Sequence, residues 1–107
     1  MKYEVLLISD AEEDLFDIYQ YVARNDSILE AERLLNIIEQ TCLNLSEMPK
    51  RGHAPPELER IAVTDYREIH YKPYRILYQV VRNQVLIHCV LDGRRDLGEL
   101  LQKRLLR

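Results

Sequence analysis

The chain has 107 residues, 47% of them apolar and 31% charged, with a formal net charge of −3. That is one domain's length, enough to bury about 60% or more of the unfolded surface around a single core without metal or disulfide staples. No apolar run approaches the roughly 20 residues of a membrane span, and the short run Val5–Ile8 leads into acidic residues rather than a signal-peptide cleavage site, so a cytoplasmic protein without a membrane partner is expected.

Tyr3 to Ile8 has the pattern of a short strand. Ser9 or Asp10 is placed to cap a helix, with Glu12 or Glu13 three residues on. The acidic first turn, Glu12 to Asp14, suits the positive end of the helix dipole. Ala11, Leu15, Ile18 and Val22 form one apolar stripe, widened by Phe16 and Tyr19. Asn25-Asp26 ends this helix. Ser27 with Glu30 repeats the capping pattern, and Ala31, Leu34, Leu35, Ile38, Cys42 and Leu45 recur at helical spacing up to Met48. Pro49 stops the second helix, because the residue before a proline disfavours the α region. Two amphipathic helices with a short link predict an antiparallel helical hairpin.

Lys50 to Asp65 is irregular, with Gly52 and Pro55-Pro56 at its start and one helical turn expected over Glu57–Ile61. Alternation resumes over Tyr66–Tyr71. A two-strand hairpin with a basic end follows over Tyr74–Asp96, its apolar run broken by Arg82-Asn83-Gln84, and it is the centre of the chain. Tyr74, Ile76, Tyr78 and Val80 fall on one face of the first strand; Val85, Ile87, Cys89 and Leu91 fall on one face of the second. Asn83 is placed to take the positive φ of a short connection, and Gly93 to allow a sharp bend. After Asp96, Leu97, Leu100, Leu101, Leu105 and Leu106 recur at helical intervals, with Lys103, Arg104 and Arg107 complementing the dipole. The fold class is therefore α+β: an N-terminal strand, an antiparallel helical hairpin packed on an antiparallel four-stranded sheet, and a short C-terminal helix, in one domain over 1–107.

Charge is segregated along the chain. Residues 1–48 hold 3 basic and 11 acidic side chains, whereas residues 93–107 hold 5 basic and 2 acidic. Any anion contact belongs to the hairpin and tail, unless the segregation merely decorates solvated faces. The acidic balance, with a pI of about 5.6, argues against sequence-specific nucleic-acid binding. Cys42 and Cys89 sit in apolar strings, as buried small hydrophobes do. His53, His70 and His88 are far apart in sequence and no Cys/His spacing suits zinc, so neither a metal nor another cofactor is expected.

Four segments carry a family resemblance: Ala11–Val22, the Met48-Pro49-Lys-Arg-Gly52 exit, Tyr74-Arg-Ile-Leu-Tyr78, and Val90-Leu-Asp-Gly-Arg-Arg-Asp96. Together they resemble the ParE branch of the RelE/ParE toxin superfamily. The resemblance implies a toxin of a bacterial type II toxin–antitoxin pair, of the kind associated with plasmid stabilization. It implies a partly disordered, DNA-binding, ParD-like antitoxin as partner. ParE-like members inhibit DNA gyrase and trap its cleaved-DNA state, whereas RelE-like members cut messenger RNA on the ribosome. A nuclease of that second kind needs a proton donor, a proton acceptor and cations for the developing phosphorane charge. Arg75 matches the strand arginine of that branch, but no Tyr or His follows Asp96, and only His88 could replace the missing group. A binding inhibitor without catalytic residues is the main expectation; a RelE-type nuclease using Arg75 and His88, or a non-toxic binding module, is the alternative.

Several side chains carry two readings. Arg75 is either a phosphate-binding remnant or a strand residue paired to a carboxylate on the neighbouring strand, such as Glu68. Tyr74 and Tyr78 pack in the core or stack on bases. One of Arg94 and Arg95 pairs with Asp92 or Asp96 while the other points outward. The leucine-rich tail packs on the sheet or stands as an exposed ridge. In the second case the ridge, with Arg94, Arg95, Lys103 and Arg104, forms a target-binding surface. The antitoxin is expected on the exposed side of the helical hairpin and at a sheet edge, presenting Lys or Arg to the acidic half.

Overall fold

In the computed structural model, which describes residues 2–106, the order is β1 (Glu4–Leu7), α1 (Ser9–Asn25), α2 (Ile28–Leu43), a 3-10 turn (Asn44–Ser46), α3 (Pro56–Glu59), β2 (Arg67–Tyr71), β3 (Tyr74–Val81), β4 (Gln84–Asp92) and α4 (Gly98–Leu105). Arg107, counted above with the C-terminal cations, lies outside the described residues. Among the described residues, no helix is long and apolar enough to cross a membrane.

The four strands form one sheet in the order β1-β4-β3-β2. Strands β2, β3 and β4 are the expected antiparallel meander, but β1 pairs with β4 in parallel, Glu4 opposite Gln84 through Leu7 opposite Ile87. The sheet is therefore mixed, not wholly antiparallel. The helical hairpin makes a full round trip between β1 and the meander, so β1 runs the same way as β4. This is the long crossover that a parallel pair requires.

The start of α1 also differs from expectation. The helix begins at Ser9 with Ile8 as its N-cap, and no side chain caps it. Ser27 does cap α2, accepting a hydrogen bond from the Glu30 amide at 3.0 Å. Glu30 does not reach back to complete the box; its carboxylate binds Arg33 one turn on.

Two apolar layers lie on the two faces of the sheet. On one, Ala11, Leu15, Leu34, Ile38 and Cys42 of the helical hairpin pack on Ile69, Ile76, Tyr78, Val85, Ile87 and Val90. On the other, Leu97, Leu101 and Leu105 pack with Leu58 on Leu77, Cys89 and Leu91. The C-terminal leucines are thus a buried stripe and not an exposed ridge; of them Leu106 is exposed. Both cysteines are buried and neither is in a disulfide, and burial pushes Cys42 up to about 12, which leaves it protonated and inert.

Strand β4 does not keep one face throughout. Leu77 pairs with Cys89 and Tyr78 with Ile87, so the register skips His88. This is a β-bulge, and one extra residue exchanges the faces beyond it. Val85 and Ile87 face the helical hairpin, whereas Cys89 and Leu91 face α4. Simple alternation had placed all four together. At the β3–β4 connection the positive φ of 57° falls on Arg82, not on Asn83 as expected. Gly93 has no positive φ either. It is required for space: a Cβ there would stand 2.9 Å from Cγ and Cδ of Arg75 and 3.0 Å from the Pro73 carbonyl.

Candidate functional site

The chemistry collects at the end of the sheet where β3 begins and β4 finishes. Arg75 leaves β3 on the α3 side. Its Nη1 and Nη2 donate to Glu57 at 2.6 and 2.7 Å, and its Nε and Nη2 donate to Glu68 at 2.7 and 2.9 Å. These charge-assisted forks are the strong kind of hydrogen bond, and they depress the Glu57 carboxyl while raising the already high Arg75. The network follows from local sequence. Pro55 and Pro56 open the single turn of α3, which sets Glu57 over the sheet. Glu68 is buried on β2.

The Met48–Gly52 exit supports the same place. The Gly52 amide donates to the Tyr78 hydroxyl at 3.0 Å, and Arg67 donates to the Gly52 carbonyl at 2.9 Å. A Cβ on Gly52 would lie 2.6 Å from both that hydroxyl and the Glu68 carbonyl. His53 then forms an isolated bridge with Glu68, its amide donating to the Glu68 carbonyl at 3.1 Å and its carbonyl accepting from the Glu68 amide at 2.8 Å. The fold thereby brings together two histidines that are remote in sequence. His70 Nε2 is 2.8 Å from Glu68 Oε1, His53 Nε2 is 3.8 Å from Glu68 Oε2, and the two rings meet edge to face with centroids 5.2 Å apart. A groove of about 480 Å³ runs over these groups, with Lys72, Arg75, Gly93 and Arg94 along it.

A second cleft, of about 300 Å³, lies on the other side of Arg94. Asp14, Asp17, Ile18 and Tyr21 of α1 form one wall; Tyr74 and the Asp92–Arg95 turn form the other. Arg94 clamps Asp92 through its amide at 2.9 Å and its guanidinium at 3.0 and 2.7 Å. That clamp lowers Asp92 to about 2. Burial, with Asp92 nearby, raises the Tyr74 hydroxyl. Arg94 and Arg95 are both exposed, as is Lys103 on α4.

Arg104 is placed differently from the other tail cations. It is half-buried and donates to Asp14 Oδ1 and Oδ2 at 3.1 and 3.0 Å and to the His88 carbonyl at 3.0 Å. Asp14 Oδ2 also accepts from the Val90 amide at 3.0 Å. The cause is the short β1, which pairs with β4 only as far as Ile87. Beyond it the bulged edge of β4 has unpaired backbone groups, which must find partners. Asp14 from one helical layer and Arg104 from the other supply them.

The structure also separates Arg75 from His88. His88 sits at 3.3 Å from Gln79 Oε1 and edge-on to Tyr66, centroids 5.4 Å apart. Burial, and then the Arg104 charge, lowers its proton affinity. Arg75 sits instead among Glu57, Glu68 and the histidine pair. Glu57, Tyr21 and the His53–His70 pair had no motif to announce them. His70 alone had a readable signal: it lies directly opposite Arg75 in the β2–β3 register.

Comparison with known proteins agrees with this architecture. The chain is 31% identical over 91 residues to Toxin ParE3 of Caulobacter vibrioides, covering 85% of this chain and 87% of that one. Its fold resembles a chain of the chromosomal ParDE toxin–antitoxin system from P. aeruginosa, with a TM-score of 0.70 at 16% identity over 83% of this chain and 94% of that one. It also resembles a chain of the RelBE2 toxin–antitoxin complex from Mycobacterium tuberculosis, with a TM-score of 0.63 at 21% identity over 86% and 92%. At those identities the two structures show a shared fold. The family model for the ParE toxin of the type II toxin–antitoxin system parDE matches residues 5–97, and the chain belongs to that family.

Proposed function

We propose that this toxin acts by binding rather than by cutting RNA, and that its target is DNA gyrase, held in the cleaved-DNA state. One observation carries the reading. Arg75, the side chain that a RelE-type nuclease would turn toward a phosphate, has four N–H groups committed to Glu57 and Glu68. A phosphate would have to displace two carboxylates to reach it. No imidazole or phenol follows β4 in the chain, and His88 is turned into the layer around Tyr66.

The target-facing surface is the Asp92–Arg95 turn with Lys103. Arg104, which the sequence groups with them, is committed to Asp14 and is a structural residue in this reading. Gyrase-bound DNA and acidic protein surfaces both suit two adjacent guanidinium groups.

The partner in the cell is a ParD-like antitoxin, partly disordered before it binds. Its docking place is a groove of about 400 Å³ on the helical hairpin, lined by Leu7, Leu15, Phe16, Tyr19 and Leu35 with Glu12 and Glu39 at its margins. Phe16 is 59% exposed and continues the apolar lining of this groove, and a contiguous apolar patch of that kind marks a protein contact. The two carboxylates favour an antitoxin segment carrying Lys or Arg beside its apolar anchors.

The test uses purified protein, gyrase, ATP and relaxed plasmid. Loss of supercoiling with accumulation of linear plasmid is the expected result. Unimpaired supercoiling by a folded sample, together with messenger RNA cleavage on translating ribosomes, would overturn it.

A further inference from the structure

We propose that His53, Glu68 and His70 form a binding site for a divalent transition-metal ion of the zinc class, open to solvent at its fourth position. The three ligand atoms lie within 4.8 Å of one another. In a tetrahedral zinc site, with bonds of about 2.0–2.2 Å, ligand atoms stand roughly 3.3–3.5 Å apart. His70 Nε2 stands 2.8 Å from Oε1 of Glu68 and His53 Nε2 stands 3.8 Å from its Oε2. The two exposed imidazoles must therefore turn to present their nitrogens to one ion, with Glu68 bound through one oxygen or both.

The donor set is chemically apt. Two neutral imidazoles and one carboxylate are ligands that zinc takes in three-ligand sites. Burial is arranged in the manner of a built site: Glu68 is 1% exposed, while the His53 and His70 side chains are 61% and 42% exposed. The anchor is therefore fixed below and the entry path is free above. Each ionised carboxylate oxygen has two lone pairs, so Glu68 can accept from Arg75 and still offer one to a metal. Arg75 then acts as the outer partner that orients the ligating carboxylate, a role most metal sites need.

The charge next to the ligand atoms favours a cation. Glu57, Glu68 and Arg75 sum to one formal negative charge when both imidazoles are neutral, and Lys72, a further cation on the groove, is exposed to solvent. Arg94, also on this groove, is met by Asp92. Preorganisation favours it too. The backbone bridge between His53 and Glu68 and the Gly52–Tyr78 contact hold the loop in register with β2, so an ion closes a ring already formed. The consequence would be a clasp between the exit of the helical hairpin and the sheet.

The experiment is a titration of Zn²⁺ alone into chelator-treated protein, followed by calorimetry and thermal unfolding, with Co²⁺ absorption as a report of coordination geometry. The expected result is one ion per chain, a raised unfolding temperature and Co²⁺ bands of the tetrahedral type. His70→Gln and His53→Gln should each weaken binding by at least the roughly 10- to 100-fold that loss of an outer partner costs. His88→Gln, outside the cluster, should bind normally. Both cluster histidines are exposed, so these variants should keep the far-UV spectrum of the parent. Absence of Zn²⁺ binding to the parent protein would overturn the proposal. So would binding that survives in both His53→Gln and His70→Gln, since it would place the ion elsewhere.

Discussion

Arg75 and Arg104 differ from Arg94 and Arg95 in what they are used for, although all four belong to the stretch from β3 to the tail that looks like one basic surface in the sequence. Arg75 is enclosed by Glu57 and Glu68, and Arg104 by Asp14 and the His88 carbonyl. Arg94 pairs with Asp92, a neighbour two residues away, and both Arg94 and Arg95 are exposed. The difference is topological. Arg75 and Arg104 face places where the sheet has an unmet need, a buried carboxylate in one case and a bulged strand edge in the other. Arg94 and Arg95 lie on a turn that has none. Positive charge in this tail is therefore not one surface: part of it is held between layers of the fold, and the exposed remainder is the part that the proposed target surface uses.

The contrast predicts its own order of effects. Arg75→Ala should be the most damaging single change. It leaves Glu68 buried with the His70 and His53 imidazoles as its remaining side-chain partners, and breaking a buried pair from one side costs about 3–5 kcal/mol. Urea unfolding would measure it, and a loss no larger than that of a surface substitution would show that the network is solvated after all. Arg104→Ala should cost less, about 2 kcal/mol, as a group bonding through a charge is removed and the His88 carbonyl loses its donor. Hydrogen exchange at the end of β4 should rise in that variant before any other strand responds.

Gly93→Ala comes next, at about 1–3 kcal/mol. Its Cβ would press on the Arg75 side chain at 2.9 Å and on the Pro73 carbonyl. The side chain can yield; the carbonyl, which accepts from the Gly93 amide at 2.7 Å, cannot move without losing that bond. The prediction separates two explanations of this glycine. If it served only a bend, Ala would be tolerated, because its φ is not positive.

Much of this was legible in the residues and some was not. Periodicity placed both long helices, α4 and the three-strand meander, because amphipathic stripes and period-two runs are local. The Ser27 cap was legible for the same reason. The parallel pairing of β1 was not, since no local pattern states which edge a four-residue strand joins. The bulge at His88 was hidden too: Val85, Ile87, Cys89 and Leu91 alternate without fault, and the skip is set by the opposing strand. At the site, Arg75 with Glu68 was readable as a cross-strand pair. Glu57, from a turn 18 residues earlier, and His53, carried in by the Gly52 loop, were not. Arg104 could not be separated from Lys103 by sequence, because what distinguishes them is the missing stretch of β1.

His88 gives a smaller effect with a definite sign. Burial beside Tyr66, and the Arg104 charge, hold its folded proton affinity below the ordinary 6.5. The unfolded chain therefore binds more protons than the folded one in that region. Stability contributed by neutral His88 is complete above 6.5 and is lost as pH falls below it. Denaturation midpoints should drop between about pH 7.5 and about pH 5, and His88→Gln should flatten that drop. A parent protein whose midpoint rises over the same interval would contradict the burial of this ring.

The smallest expected change in stability is also the one with the largest expected change in function. Arg94→Ala with Arg95→Ala removes two exposed guanidinium groups from a turn. The Asp92 carboxylate loses its clamp but stays in water, so the unfolding midpoint should move little. If the exposed cations form the gyrase-facing surface, the same double variant should lose most of its inhibition of supercoiling and its toxicity in cells without antitoxin. Lys103→Ala should add to that loss, whereas Arg104→Gln, once corrected for the fraction folded, should leave inhibition near that of the parent. The opposite pattern, with inhibition retained in the turn variant and lost in Arg104→Gln at full folding, would reassign the surface. Binding would then depend on the edge of β4, and the residue that looks structural would be the one that touches the target.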